Sequence, residues 1–241
     1  MKKFKCLLTA MLLGCSTMSF AQFMNGSGSS ASSSDVEAWK GLRFSYDRTF
    51  VNQDWEDADD MDMNGFSIGY EHAFKVAKKL PIFIQTGLDF NFARYKDDES
   101  EYDDYYGESW EYEDKITSLG LSIPVNFVYG VKINDMLAIK PYTGFYLRVN
   151  LMAKEKYTET WSDGTDSESE ETETNLFDED EVKEAYGSKD WTWNRVQAGW
   201  QIGATLDISK FNVGIGYALD FNEITEKTKT SKFMVKLGYN F

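Results

Sequence analysis

Hydrophobic side chains alternate with small or polar ones along most of the chain, and this alternation constrains the fold more than any other feature. From Ala38 onward it recurs in eight segments. In the first segment Leu42, Phe44 and Tyr46 share one face, and small or charged residues occupy the positions between them. A repeat of two residues is that of a β-strand whose two faces meet different environments. The sequence therefore predicts eight strands.

The connections between these strands alternate in length. Residues 76–80, 131–135 and 209–210 form short links, whereas residues 97–114 and 153–190 form long acidic ones. Short turns at one end and long loops at the other are the plan of an outer-membrane barrel with an even number of antiparallel strands. We therefore predict an all-β fold, an eight-stranded antiparallel up-and-down transmembrane β-barrel with short periplasmic turns and long acidic extracellular loops.

The composition of the two strand faces indicates which one points outward. A soluble lipocalin-like barrel also alternates, but its outer face meets water and carries many Lys, Glu and Thr residues. Here one face is rich in Phe, Leu, Ile, Val and Tyr, and the other is mostly Gly, Ser, Ala and Asn. Small residues suit a narrow lumen, and the large apolar ones suit hydrocarbon. We therefore expect the apolar face to contact lipid.

Charged residues on the lumen side are predicted to form an internal network. An eight-stranded barrel is just wide enough for side chains to fill it, so we expect ion pairs and hydrogen bonds in place of an open channel. Five basic and five acidic residues have the required parity. They are Arg43, Lys140, Arg148, Arg195 and Lys236, and Asp47, Glu71, Asp89, Asp207 and Asp220.

The C-terminal segment KFMVKLGYNF ends on an aromatic residue. Its Phe233, Val235, Leu237, Tyr239 and Phe241 share one face. Together with segments such as SLGLSIPVNFVYG and NVGIGYALDF, it resembles the outer-membrane β-barrel domain family of small porin-like proteins. That resemblance covers residues 38–241. It implies that the chain lies in the bacterial outer membrane, that both chain ends face the periplasm, and that the barrel-assembly machinery reads the last strand. It transfers no functional residue.

The N-terminus has the pattern of an export signal. A Lys-rich start, an apolar run and a small-x-small site at Ser19 to Ala21 predict a signal peptide over residues 1–21. Residues 22–37 are rich in Gly and Ser and predict a flexible spacer before a barrel domain over residues 38–241. Leu12 to Cys15 also resembles a lipoprotein signal, so acylation of Cys15 stays open as an alternative. Cys6 and Cys15 are the two cysteines of the chain, so cleavage after Ala21 leaves no thiol.

The acidic balance narrows the choice of partners. The net charge is -15, and removing Lys2, Lys3 and Lys5 with the signal peptide gives -18. Such a charge repels a polyphosphate, which argues against nucleic acid. The acidic runs hold oxygen ligands that suit weak divalent cation binding, but none has the spacing of an ordered calcium loop. We predict no specific metal site and no cofactor.

The run DDESEYDDYYGESWEYED, residues 97–114, holds ten carboxylates and five aromatics. Tyr102, Tyr105, Tyr106, Trp110 and Tyr112 are interpreted as residues that pack the loops together or, alternatively, as a contact surface for an unknown ligand. The sole histidine, His72, has lipid-side parity, so no catalytic residue is predicted. We expect a monomeric, non-enzymatic outer-membrane protein with a structural or surface-interaction role. A passive small-solute porin, a lipid-modifying enzyme and an accessory subunit of a secretion or uptake system remain alternatives.

Overall fold

The computed structural model describes residues 36–54, 61–77 and 80–241. Within these ranges the chain forms ten strands, one α-helix and one 3-10 helix. The strands are β1 Trp39–Gln53, β2 Met61–Lys75, β3 Ile82–Asp103, β4 Glu108–Tyr129, β5 Val131–Lys132, β6 Leu137–Ser162, β7 Ser167–Asn175, β8 Val196–Ile208, β9 Phe211–Asp220 and β10 Thr228–Asn240. The predicted signal peptide, Cys15 and most of the predicted spacer lie outside the described residues.

Eight of the strands close into a ring of antiparallel neighbours. Strands β1 to β4 pair in order, β4 pairs with β6, and β8, β9 and β10 follow before β10 pairs back with β1. At the closure, Phe44 of β1 lies opposite Leu237 of β10 on one side and Ile68 of β2 on the other. Closure gives every ring strand two hydrogen-bonding neighbours, as hydrocarbon requires. The prediction of an eight-stranded antiparallel barrel is confirmed.

The side chains of the ring alternate between outside and lumen as predicted. On β1, Leu42 and Phe44 are 55% and 47% exposed, whereas Ser45 and Asp47 are 6% and 3% exposed. The same alternation of exposed apolar and buried polar residues continues around the barrel. An apolar outer band and a polar interior are the arrangement of a transmembrane barrel.

The short connections lie at one end of the barrel, together with the start of β1 and the end of β10. We call it the turn end, and the opposite end the loop end. At the turn end β8 passes to β9 through Ser209 and Lys210, and β4 passes to β6 through the two-residue strand β5. The predicted short links at residues 131–135 and 209–210 are therefore present, and the one predicted at residues 76–80 lies partly outside the described residues.

The long acidic connections are not the solvated loops that the composition predicts. Strands β3, β4 and β6 are 22, 22 and 26 residues long, whereas a tilted membrane-spanning strand needs about 9–11 residues. Most of the run 97–114 therefore belongs to β3 and β4, joined by a turn at residues 104–107. Strand β7 pairs with residues 154–162 of β6. We call residues 96–103, 108–115, 154–162 and 167–175 the extension, a four-stranded sheet beyond the loop end.

One helix, α1, covers Glu179–Tyr186 in the connection from β7 to β8. Asp178 caps its N-terminus by accepting hydrogen bonds from the backbone N–H groups of Asp180 and Glu181, and Gly187 ends it with a φ of 77°. A 3-10 helix at Lys189–Trp191 follows. No helix in the described ranges is long and apolar enough to cross a membrane.

Candidate functional site in the lumen and the extension

Glu71 is the main acceptor near the turn end of the lumen. It forms an ion pair with Arg43 and accepts a hydrogen bond of 2.7 Å from Nε1 of Trp39. Beside it, Lys140 pairs with Asp207, and its ammonium lies 3.4 Å from the centre of the Trp39 ring. These five side chains come from β1, β2, β6 and β8, and closure of the barrel brings them into contact.

Asp220 is the main acceptor nearer the loop end of the lumen. Its Oδ2 lies 2.6 Å from a guanidinium nitrogen of Arg148. The same carboxylate accepts hydrogen bonds from the hydroxyl groups of Tyr146 and Thr230. Because the charge is paired and its oxygens have several donors, this buried carboxylate stays compensated.

Asp47 pairs with a residue outside the predicted set. Its Oδ2 lies 3.3 Å from Nζ of Lys232, and its Oδ1 accepts a hydrogen bond of 2.7 Å from Ser45. Lys232 has the same parity as Lys236. It was missed because the apolar residues that mark the last strand begin at Phe233, whereas β10 begins at Thr228.

The remaining predicted charges divide between the lumen and the surface. Asp89 and Lys236 line the same internal cavity, and Nζ of Lys236 lies 4.7 Å from the centre of the Tyr142 ring. Arg195 is exposed and does not belong to the lumen. Its guanidinium stacks on Phe177 at 4.1 Å from the ring centre. It precedes β8 by one residue, so the strand alternation does not fix its direction.

Apolar clusters lie at the two ends of the lumen, on either side of these charges. The cluster at the turn end consists of Trp39, Ala73, Phe83, Val128 and Tyr142. The cluster at the loop end consists of Val51, Met63, Ile116, Ala153 and Leu176. Between them, the described residues line two internal cavities of about 60 and 50 Å³, which is room for a few waters each.

The predicted assembly signal lies on the outer surface of β10. Val235, Leu237 and Tyr239 are 43%, 52% and 39% exposed, in the apolar band. Phe241 is 54% exposed, and its backbone N–H donates to the carbonyl oxygen of Lys40 at 3.0 Å. Phe233 lies opposite Arg48 in the β1–β10 register, near the loop-end margin of that band. The five side chains are therefore open to a partner from the membrane side.

Deletion of Phe241 is expected to lower the folded fraction in the outer membrane several-fold. The terminal ring lies over the end of β1, where the β1–β10 seam must close, with the ammonium of Lys40 5.7 Å from its centre. The measurement is made on isolated outer-membrane fractions and gives the share of the protein whose gel migration changes on boiling. Phe241→Tyr, which keeps the ring, is the matched control and should assemble normally. Normal assembly after deletion would remove the role assigned to Phe241.

The extension separates the five aromatics of the predicted contact surface. Trp110 and Tyr112 lie on the face that continues the lumen side of the barrel, which we call the inner face. Tyr102 lies on the opposite, outer face. Tyr105 and Tyr106 lie in the turn and are 86% and 70% exposed. The five residues therefore do not form one surface.

Two aromatics outside the predicted contact surface, Tyr157 and Trp161, complete the inner face. Trp161 lies opposite Trp110 in the β4–β6 register, and the rings of Tyr157 and Tyr112 lie 6.4 Å apart in a stacked arrangement. The signal for them is the spacing of Tyr157 and Trp161 among threonines, which is the period of a strand.

Charge is divided unequally between the two faces of the extension. The outer face carries Lys96, Lys115, Lys154 and Lys156, which pair with the acidic residues Asp98, Glu113, Glu171 and Glu173. The inner face has no lysine or arginine. Its carboxylates are Asp97, Glu99, Glu101, Asp103, Glu108, Asp114, Glu155, Glu159, Glu168 and Glu170.

The inner face has a negative potential that changes the acidity of its groups. Partial burial, and then the charge of Asp97, raise the pKa of Asp114 above its usual value. Burial raises the pKa of Glu155 as well, although Tyr186 of α1 donates a hydrogen bond to it. Burial and the charge of Glu159 raise the pKa of Tyr112. These carboxylates therefore act on one another across three strands.

The described residues contain no group of three or more His, Cys, Asp or Glu side chains placed to hold a metal ion. His72 lies on the outer surface of β2, where its ring stacks on Phe74 at a centroid distance of 4.1 Å. It pairs in register with Lys40 and Thr86. No arrangement of a nucleophile and a base forms around it.

Comparison with known proteins identifies the barrel. A profile described as the outer membrane protein β-barrel domain matches residues 20–226, which is most of the chain. No curated protein matches the chain.

Solved structures of outer-membrane barrels are similar over most of the chain but at low identity. Ail, the attachment invasion locus protein of Yersinia pestis, is 14% identical, with 86% of this chain and 100% of that chain covered and a TM-score of 0.35. Neisserial surface protein A is 11% identical, with 84% and 97% covered and a TM-score of 0.38. Similarity at this level carries no information about function.

Proposed function

The chain belongs to the outer membrane protein β-barrel domain family, and from this membership we propose that it is a non-enzymatic surface-interaction protein whose barrel carries the extension as its binding element. As a member of this family it lies in the bacterial outer membrane. The barrel supplies the anchor, and the extension supplies the exposed surface. In this proposal the turn end faces the periplasm, and the extension projects from the cell.

The main support for this proposal is the length of strands β3, β4 and β6. Crossing the membrane needs about 9–11 residues per strand, and β3, β4 and β6 use 22 to 26. The additional residues form a sheet with aromatic side chains on both faces and in its turn. Such a sheet contributes nothing to spanning the bilayer. Tyr and Trp among polar residues are typical of recognition surfaces.

The lumen and the surface of the described residues favour this function over the alternatives. A passive porin needs a continuous path, and two apolar clusters with three buried ion pairs lie across the lumen. A lipid-modifying enzyme needs a nucleophile or an activated water, and His72 has no partner set for that chemistry.

Removal of the extension is expected to leave the barrel assembled and to abolish attachment of the producing cells to protein-coated surfaces. The variant replaces residues 97–114 and 156–173 each by Asn-Gly, a two-residue hairpin turn. Ile116, Ala153 and Leu176 stay in place, so the cluster at the loop end persists. The measurements are cell attachment and the change of gel migration on boiling.

Cells producing the full-length chain, and cells producing neither form, are the two references. Equal attachment of cells with and without the extension would contradict the proposed function. A reproducible ion conductance of the full-length protein in planar bilayers would favour the porin alternative.

A further inference from the structure

Helix α1 contacts the inner face of the extension at its membrane-side end, through the hydrogen bond from Tyr186 to Glu155. Lysines that could neutralise the acidic residues of this sheet all lie on the other face, where they form five ion pairs. On the inner face Oδ1 of Asp114 is buried and has no hydrogen-bond partner among the described residues. The face therefore keeps uncompensated negative charge, although the chain has lysines in the same strands.

Aromatic rings lie between the carboxylates of this face. Trp110 and Trp161 are directly opposite each other on β4 and β6, and Tyr112 and Tyr157 stack one step closer to the membrane. A guanidinium group binds both partners at once, since it stacks on an aromatic face and donates to a carboxylate. This chain already contains one such stacked pair, since the guanidinium of Arg195 lies over the ring of Phe177.

We propose that the inner face of the extension is a docking surface for a cationic polypeptide segment of another protein, rich in arginine and lysine. This partner class rests on the proposed function and specifies it. The carboxylates of the inner face favour a partner with positive charge, and its aromatic rings favour side chains that stack on them, such as arginine. In an extended segment, alternate side chains point the same way at a spacing of about 6.6–6.8 Å, which matches the spacing of the rows of rings and carboxylates along each strand.

Other occupants fit this face less well. A second copy of the chain would bring an equal set of carboxylates against it, and like charges repel. A polyanion would be repelled for the same reason. A divalent cation would need several oxygen ligands around one point, and no such group occurs among the described residues. A neutral ligand would use the rings but not the charge.

The test is binding of a fluorescein-labelled dodecapeptide of alternating Arg and Gly to the full-length protein in nanodiscs of zwitterionic lipid. We expect saturable binding that weakens as salt is added, and none with the corresponding Glu-Gly peptide. The ring variant carries Trp110→Ser, Tyr112→Ser, Tyr157→Ser and Trp161→Ser. The inner-acid variant carries Glu99→Gln, Glu101→Gln, Glu159→Gln and Glu170→Gln. Each is expected to weaken binding about tenfold or more, or about 1.4 kcal/mol.

The matched control removes the same charge from the outer face, with Asp98→Asn, Glu111→Gln, Glu171→Gln and Glu173→Gln. It should change the affinity by less than about twofold, which is under about 0.5 kcal/mol. Equal weakening by the inner-acid and outer-acid variants would overturn the proposal, because the peptide would then respond only to the net charge of this end. Unchanged binding by the ring variant would overturn it too. Absence of peptide binding, with cell attachment still dependent on the extension, would reject the cationic partner and leave the proposed function intact.

Discussion

Glu71→Ala is expected to lower the free energy of unfolding of the barrel by about 3–5 kcal/mol. The substitution leaves the buried guanidinium of Arg43 without its carboxylate, and it removes the acceptor for Trp39 and Gln85. An unpaired charge inside a narrow lumen has no water to replace the lost partner. The measurement is urea unfolding of the protein in phospholipid vesicles, with the folded fraction at each urea concentration determined from the gel migration of unboiled samples.

Two further variants separate the unpaired charge from other causes. Asp98→Ala removes a carboxylate from the exposed outer face, where its ion pair with Lys96 is solvated, and it should cost at most about 1 kcal/mol. Arg43→Met combined with Glu71→Leu removes both charges and should recover most of the loss, because apolar pairs often replace buried ion pairs without cost. A double variant as unstable as Glu71→Ala would show that packing, and not charge, determines the effect.

The alternation of side chains was sufficient to predict that Asp47 and Glu71 enter the lumen. Each lies inside a strand, β1 or β2, where the period of two residues cannot slip without moving apolar side chains into the lumen. The prediction failed at strand ends. Lys232 was missed because β10 begins earlier than its apolar residues indicate, and Arg195 was wrongly included because β8 begins just after it. Near a terminus, local contacts and not the period decide where a side chain points.

The extension could not be predicted from composition, because ten carboxylates in eighteen residues are typical of a solvated loop. The order of residues within the run contains a different signal. Trp110, Tyr112 and Asp114 alternate with Ser and Glu, which is the period of a strand. Pairing with β6 stabilises this strand, and lysines on the outer face offset the repulsion of acids that lie directly opposite, such as Asp98 and Glu113. The sequence of residues 97–114 alone does not show that β6 pairs with them.

Helix α1 was missed for a related reason. Its sequence EDEVKEAY looks like part of an acidic loop, and only Val182 is buried within it. The local signals were present, since Asp178 is a good N-cap and Gly187 a good C-terminal residue. An eight-residue helix with one buried side chain has little stability by itself. Its contacts with the extension, among them the hydrogen bond from Tyr186 to Glu155, are what the sequence does not reveal.

Gly65→Ala is expected to destabilise the pairing of β2 with β3 by about 3 kcal/mol, the upper end of the usual cost of overpacking, and so to lower the folded fraction of the barrel. A Cβ atom on Gly65 would lie 1.9 Å from the carbonyl oxygen of Phe92 and 2.8 Å from Cα of Ala93. Both are backbone atoms of the paired strand, and they cannot withdraw without breaking the hydrogen bonds of that pair. The measurement is the fraction of protein whose gel migration changes on boiling after refolding into vesicles.

Gly120→Ala is the matched control, because it makes the same change at another lumen-side position of a paired strand. The nearest atoms to its Cβ would be Oδ1 of Asn150 and the carbonyl oxygen of Val149, both at 3.2 Å. The amide can turn aside, so we expect a loss of less than about 1 kcal/mol and a normal folded fraction. Both variants gain the same methyl group and lose the same backbone freedom. A difference between them therefore measures the approach of β3 to Gly65, and equal losses would mean that this approach is not what requires glycine there.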